Sequence, residues 1–186
     1  DKYGIDSTFL HHPLYEFPRG EEKKISGKAI SLSRVDFDKH TDIIVSANKG
    51  LKMPVEIYGA MNDLYVYHKL RDTDFKKYYR GKFPKTFDAL TELLATSKFV
   101  VDMSAIRRDG GGSQYTFLEA IYMDCALVLN SKWVAGIKTP FIHGLNCFVV
   151  SNSDELRELL KSNPDTKKIV KNAKTMLAPH LRKRGW

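Results

Sequence analysis

The chain has 186 residues, a hydrophobic content of 42% and a formal net charge of +8. These values are ordinary for one globular domain with a well-filled core, and they exclude a disordered or fibrous chain. No apolar run approaches the length of a membrane span, and the first residues carry no signal-peptide pattern, so we expect a cytoplasmic protein. The chain begins at Asp1 without a methionine, which suggests a piece of a longer protein.

The first half of the chain alternates between short apolar runs and amphipathic segments. Residues 1–28 are rich in turn formers and charge, and we predict an extended lead-in that places nothing in the core. The elements predicted next are a strand at 29–32, a helix at 38–49, a strand at 55–58, a helix at 63–70 and a strand-like segment at 78–83.

The second half continues this alternation. The predicted elements are a helix containing Phe87, Leu90, Leu93 and Leu94, a strand at 99–103, a helix ending at Asp124, strands at 125–129 and 147–150, and helices at 153–161 and 165–177. Because helices separate strands that are often continuously apolar, we predict an α/β fold. It is a Rossmann-like, mostly parallel sheet with helices on both faces, formed by residues 29–178 and followed by a basic tail at 179–186.

The two cysteines, Cys125 and Cys147, lie in apolar segments that read as buried strands. Packed thiols are therefore predicted rather than a disulfide or a metal site, and a reducing compartment fits them. The positive charge favours an acidic partner, such as a nucleotide, a nucleic acid or an anionic surface, without selecting among them.

A glycine run that leads into a helix is the most informative motif. The unpaired amides and the dipole at a helix start attract phosphate, Ser113 can cap this helix, and Glu119 lies close enough to reach a ligand bound there. Tyr115, Leu118 and Tyr122 are expected to seat one face of the helix on the sheet. A simple turn between strand and helix is the alternative. The candidate ligand-binding residues of this run are Asp109, Gly110, Gly111, Gly112, Ser113, Gln114, Tyr115 and Thr116.

Two cations, Arg34 and Lys39, lie in the loop that follows the first predicted strand of the sheet. Ligands of open parallel sheets bind beyond the carboxyl ends of the strands, so this loop and the glycine run are expected at one rim. Two cations there could neutralise a diphosphate, with the planar fork of Arg34 holding two oxygens. Simple solvation of both side chains is the alternative.

The segment Asp36-Phe37-Asp38 has the form of an acidic metal-binding pattern. Asp38 is expected to cap the following helix, and the flanking cations disfavour a metal, so we predict no metal site. His143 precedes a glycine in a turn, where a structural role is expected rather than a catalytic one.

Five segments together resemble the C-terminal, donor-binding domain of retaining glycosyltransferases of the group 1 type, which have the two-domain GT-B fold. The resemblance covers about residues 29–177. Residues 33–39 are similar to the family's diphosphate clamp, 57–59 to its strand ending in glycine, 79–83 to the segment that holds the nucleobase, 117–128 to the helix and strand carrying the ribose-binding glutamate, and 142–150 to the strand and turn that follow.

The resemblance implies a nucleotide-diphosphate sugar donor, with a UDP-sugar favoured, and transfer with retention to an acceptor held by an N-terminal domain missing from this chain. It implies catalytic roles for Arg34, Lys39 and Glu119: the cations and the amides of residues 113–116 stabilise the leaving diphosphate, and the carboxylate holds the ribose. Gly59, Lys82 and Phe83 join the glycine run as implied donor-binding residues. No metal or other cofactor is implied.

One position departs from the family pattern. The family's earlier glutamate, eight residues before Glu119, is replaced here by Gly111, and Asp109 is the nearest acid. This irregularity and the string at 115–119 are also similar to phage enzymes that add glucose to hydroxymethylated DNA. The acceptor therefore stays open among a glycan, a lipid and modified DNA.

Two other functions are compatible with the sequence. One is a nucleic-acid-binding α/β module, although the sequence gives no continuous basic stripe with aromatic platforms. The other is a nucleotide-sugar-binding domain with different chemistry, such as an epimerase.

Overall fold

The computed structural model describes residues 11–19, 23–82, 86–105, 115–136 and 139–183. The strands are β1 Leu14–Tyr15, β2 Ala29–Leu32, β3 Glu56–Tyr58, β4 Tyr79–Gly81, β5 Phe99–Asp102, β6 Ala126–Asn130, β7 Phe148–Val150 and β8 Leu181–Arg182. The α-helices are α1 Thr41–Ala47, α2 Asp63–Tyr65, α3 Phe75–Tyr78, α4 Phe87–Thr96, α5 Tyr115–Tyr122, α6 Ser131–Gly136, α7 Ser153–Ser162 and α8 Lys167–Lys174. Two 3-10 turns, Phe37–Lys39 and Thr175–Leu177, and a π-helical turn, Val66–Leu70, complete the described elements.

Six of the strands form one parallel sheet in the order β4-β3-β2-β5-β6-β7. In chain order, β3 and β4 are added on one side of β2. The chain then crosses to the other side of β2, where β5, β6 and β7 are added in turn. The topological switch point is therefore between β2 and β5, because the helices that follow these two strands pack on opposite faces of the sheet.

The sheet is covered by helices on both faces. Successive residues of one strand enter opposite cores: Ala29 packs with α1 and α7, whereas Ile30 packs with α4 and α5. All four residues of β2 and of β5 are buried, which is why these strands read as continuous apolar runs. The predicted Rossmann-like, parallel α/β fold is confirmed.

The segment before the sheet contributes to the core, contrary to expectation. Leu14 is 1% exposed and Phe17 is 6% exposed, and both belong to the core on the α5 side of the sheet. β1 pairs in parallel with β8, so Leu14 is the register partner of Leu181 in the predicted basic tail. The expectation that residues 1–28 place nothing in the core is therefore wrong for Leu14 and Phe17, because two apolar residues three apart are too few to reveal a buried face.

None of the described helices is long and apolar enough to cross a membrane. Cys125 and Cys147 are free, buried thiols, as predicted. Burial raises the pKa of both, to about 11 for Cys147.

Candidate functional site

The loops that leave β2 and β5 are joined directly at the switch point. The ammonium of Lys39 donates to Ser104 Oγ at 3.0 Å, and the amide of Ala105 donates to the carbonyl of Asp38 at 2.9 Å. His40, in the left-handed conformation with φ of 46°, then turns the chain into α1. Lys39 is thus held beside Ser104 and Ala105, just beyond the carboxyl end of β5.

Arg34 and Lys39 meet at one carboxylate. Asp38 Oδ2 lies 3.7 Å from Arg34 Nη2 and 3.4 Å from Lys39 Nζ, and Arg34 also lies 3.4 Å from Asp36 Oδ2. The side chain of Arg34 is 65% exposed, but that of Lys39 is only 12% exposed. The structure therefore brings the two predicted cations together, with an anionic oxygen between them.

The helix cap predicted at Asp38 is wrong, because Asp36 holds that position. Its Oδ1 accepts from the amide of Phe37 at 2.8 Å and from Asn62 Nδ2 at 2.9 Å. The first helical turn is a 3-10 turn that begins at Phe37, one residue before the predicted start. Capping by Asp36 leaves the Asp38 carboxylate available to the two cations.

Gly59, at the end of β3, is required by close packing. A Cβ atom at this position would lie 1.9 Å from the carbonyl oxygen of Ser33, the residue before Arg34. The Gly59 amide donates to the carbonyl of Gly81 at 2.9 Å, and Tyr79 Oη donates to the carbonyl of Gly59 at 2.8 Å. Gly59 therefore fixes the backbone that carries Arg34, and the predicted donor residue Lys82 is exposed just beyond β4.

Buried polar residues after β5 and β6 shape the same rim. Asp102 Oδ1 accepts from the Ser104 amide at 2.7 Å, and Asn130 Nδ2 donates to the Met103 carbonyl at 3.0 Å. Ser104, the partner of Lys39, is a site residue that was not predicted from the sequence. A polar residue placed directly after an apolar strand was the available signal.

Glu119 lies on the second turn of α5 and is only 8% exposed. Burial raises the pKa of its carboxyl to about 7. Among the residues that the structure describes, the carboxylate has no hydrogen-bond partner. The carboxylate oxygens keep some contact with solvent, since Trp133 Nε1 is the one fully buried and unpartnered side-chain polar atom of the described residues, so a hydrogen-bond donor can still reach them. Such a donor would stabilise the desolvated carboxylate.

Tyr115 and Tyr122 contact the N-terminal segment through their hydroxyl groups. Tyr115 Oη donates to the Pro13 carbonyl at 2.8 Å, and Tyr122 Oη donates to the Phe17 carbonyl at 3.0 Å. The face predicted to contact the sheet does pack on its core: Tyr122 is buried in the core that contains Ile30 and Leu127 of the sheet, and Tyr115 and Leu118 are partly buried against it. Phe117, Ala120 and Ile121 are buried in the same core, and Thr116 is half-buried.

Phe83 and the glycine-run residues Asp109, Gly110, Gly111, Gly112, Ser113 and Gln114 lie outside the described residues. Tyr115, which follows the run, begins α5.

Two further sequence expectations concern metal and histidine chemistry. Within the described ranges, no cluster of three or more His, Cys, Asp or Glu side chains is arranged to hold a metal ion. His143 Nδ1 accepts from the Val149 amide at 2.9 Å, which is a structural contact at the start of β7.

Comparison with known proteins extends this description. No protein-family model and no curated protein matches the chain. Solved structures do match: AviGT4, a glycosyltransferase involved in avilamycin A biosynthesis, has a TM-score of 0.66 and 17% identity over 95% of this chain and 55% of its own. Alr3699/HepE from Anabaena, in complex with UDP and glucose, has a TM-score of 0.62 and 18% identity over 83% of this chain and 44% of its own.

A third match is itself a separate domain. The C-terminal domain of LpcC, a group 1 glycosyl transferase from Francisella tularensis, has a TM-score of 0.58 and 16% identity over 81% of this chain and 84% of its own. The chain thus spans less than half of the HepE chain but most of this domain. It has the Rossmann-like fold of one half of a GT-B glycosyltransferase.

Proposed function

We propose that this chain is the donor-nucleotide-binding domain of a retaining glycosyltransferase that uses a UDP-sugar. The observation that carries the proposal is the meeting of Arg34 and Lys39 on one carboxylate oxygen, at the switch point of the sheet. The same fold occurs in a structure solved with UDP and glucose, which supports this choice of donor.

The two cations have different parts in the proposed mechanism. Lys39 is nearly buried and held by Ser104, so its charge acts through a low local dielectric on the diphosphate as the sugar bond breaks. Arg34 is exposed and free to swing from Asp36 and Asp38 to two phosphate oxygens. A phosphate oxygen would then replace the Asp38 carboxylate between the two cations.

The proposed role of Glu119 is positioning the donor. Its carboxylate would accept hydrogen bonds from the ribose hydroxyls, which replaces the missing partners of a buried acid. The amides of residues 113–116 would face the diphosphate, and Gly59, Lys82 and Phe83 would line the donor side of the pocket. The charge of the diphosphate is balanced by these groups without a metal ion.

The remainder of the enzyme is assigned by analogy. An N-terminal domain would hold the acceptor across a cleft, since the chain spans less than half of the HepE chain. The acceptor is a glycan, a lipid or modified DNA, the last in keeping with the likeness to phage enzymes. Two free, buried thiols fit a reducing compartment, and we place the protein in the cytoplasm.

Calorimetric titration with UDP tests the proposal. We expect Arg34→Ala and Lys39→Ala each to weaken UDP binding by about 1.5–3 kcal/mol, because each removes a charge-assisted hydrogen bond to phosphate. Lys49→Ala, an exposed lysine just after α1, is the matched control and should leave the affinity unchanged. Uridine, which lacks the phosphates, should bind much more weakly than UDP and should not respond to either substitution.

Two results would overturn the proposal. One is a folded chain that binds none of UDP, GDP and ADP. The other is UDP binding that is equally tight in the wild type, Arg34→Ala and Lys39→Ala, which would remove both cations from the site.

A further inference from the structure

A second concave site lies at the opposite rim of the sheet. It is a cleft of about 550 Å³ whose lining includes Lys24, Lys98, Lys167, Lys171 and Lys174, here called the lysine cleft. Lys24 precedes β2, and Lys98 immediately precedes β5. The cleft is therefore at the amino-terminal edge of the strands, whereas Arg34 and Lys39 lie at the carboxyl edge.

The lysine cleft has an excess of positive charge. Its lining includes two carboxylates, Asp124 and Asp165. Lys174 forms an ion pair with Asp124, which also pairs with Arg19 at 3.6 Å. Asp165 Oδ1 accepts from the backbone amide of Lys167 at 3.0 Å. Across the described parts of the chain, the ammonium groups of the other four lysines make no ion pair within 4 Å.

Two of these four lysines are fixed by neutral acceptors. Lys24 Nζ donates to the carbonyls of Leu94 and Met123, at 2.6 and 2.5 Å, and contacts Cys125 Sγ at 3.2 Å. Lys98 Nζ donates to Asn163 Oδ1 at 2.6 Å, and burial lowers the pKa of Lys98 although the charge of Asp165 opposes this. Neutral acceptors satisfy the N–H groups of the two ammonium ions but do not neutralise their positive charge. An anion in the cleft would therefore be attracted to both Lys24 and Lys98.

The other two lysines can move to meet a ligand. Lys167 and Lys171 are exposed and one helical turn apart on α8, so their side chains share one side of the helix. Long, solvated lysine side chains at the edge of a concave site can close on an anion without disturbing the fold.

We propose that the lysine cleft binds a small polyanion carrying two or more phosphate groups. Its volume is that of a small-molecule site, and none of the described residues that line it has an aromatic side chain on which a nucleic-acid base could stack. The proposal does not depend on the proposed glycosyltransferase function, because none of the described residues proposed for the donor site lines this cleft.

The test uses inorganic tripolyphosphate as the probe, titrated into the 186-residue chain carrying Arg34→Ala and Lys39→Ala, so that phosphate binding at the other rim is removed. We expect binding at about 0.15 M salt, where long-range attraction is largely screened. Adding Lys167→Gln and Lys171→Gln should weaken it at least about tenfold, because two charge-assisted contacts are lost. Lys168→Gln, on the same helix but outside the cleft lining, is the matched control and should change it less than about twofold.

Several outcomes overturn the inference. They are no tripolyphosphate binding by a chain whose circular dichroism is native, binding that survives Lys167→Gln and Lys171→Gln, and an equal loss with Lys168→Gln. A fourth is lysine-dependent binding of duplex DNA or phosphatidylserine vesicles in the absence of tripolyphosphate binding, which would make the cleft a macromolecular contact surface. UDP binding by the unsubstituted chain is measured separately, so failure of one proposal is distinguishable from failure of the other.

Discussion

Arg34 and Lys39 have the same sequence signal but very different environments. Their spacing predicts two cations at one rim, yet only the structure shows that Lys39 is held against Ser104 while Arg34 remains exposed. The difference follows from Asp36, which caps the 3-10 turn and directs Lys39 toward the end of β5. At the residue scale, a buried cation has a fixed position, and an exposed one must be ordered when a ligand binds.

Gly59→Ala is expected to destabilise the fold by about 3 kcal/mol, because the new Cβ would overlap the backbone of Ser33 and force the strand ends apart. Urea denaturation measures the loss. Gly50→Ala is the control for backbone strain: Gly50 also has a positive φ, of 83°, but a Cβ there would meet no atom within 4 Å. Equal losses for the two variants would show that the close approach to Ser33 has no energetic consequence.

Glu119→Gln is expected to remove a pH-dependent loss of stability. Burial raises the pKa of this carboxyl from 4.5 to about 7 in the folded state. Below pH 4.5 it is protonated in both states and imposes no charge penalty. As the pH rises to 7 the unfolded chain releases the proton first, so the wild type loses stability, and above pH 7 the penalty approaches its full value of about 3 kcal/mol.

Denaturation of the wild type and Glu119→Gln at pH 5 and pH 8 checks this sign. The variant should gain stability relative to the wild type between the two values. Glu158→Gln, at an exposed position on α7, is the control and should give a nearly constant difference. A Glu119→Gln difference that is equally independent of pH would mean that the carboxyl titrates normally.

At the scale of elements, the N-terminal segment is part of the folded domain. Leu14→Ala is expected to cost about 2–4 kcal/mol, because it leaves a cavity in the core against α5. Tyr15→Ala is the matched control: Tyr15 is the other residue of β1 but is 49% exposed, so its replacement should cost less than about 1 kcal/mol. Chemical denaturation measures both, and equal small losses would show that this segment is not anchored.

The elements that were predicted correctly from the sequence are those with a hydrophobic pattern that extends over several residues. β2, β5 and β6 were recognisable because strands covered on both faces are continuously apolar, and α7 and α8 because one side is strongly polar. β1 and β8 were missed because each has two residues and pairs with a segment about 165 positions away. α6 was also missed, although Asn130 Oδ1 accepts from the Lys132 amide at its start, a cap that the sequence displays.

At the scale of the whole molecule, the order of strands and helices predicted the position of the candidate site better than any single motif did. The alternation of strands and helices predicts a parallel sheet, and in a parallel sheet the loops after neighbouring strands lie at the same rim. The contact between Lys39, after β2, and Ser104, after β5, agrees with this prediction. Contacts between segments distant in sequence could not be predicted from this alternation, because they depend on side-chain packing. Examples are Tyr115 with Pro13 and the lysine cleft between α8 and the amino-terminal edge.

The pairing of Leu14 with Leu181 places residues near the two ends of the described chain side by side. A short glycine-serine bridge between these neighbours would close the chain into a ring, and new ends could be opened in an exposed turn such as the one at residues 71–74 without cutting the sheet. The same geometry would allow the domain to be inserted into a surface loop of another protein, with the two junctions side by side.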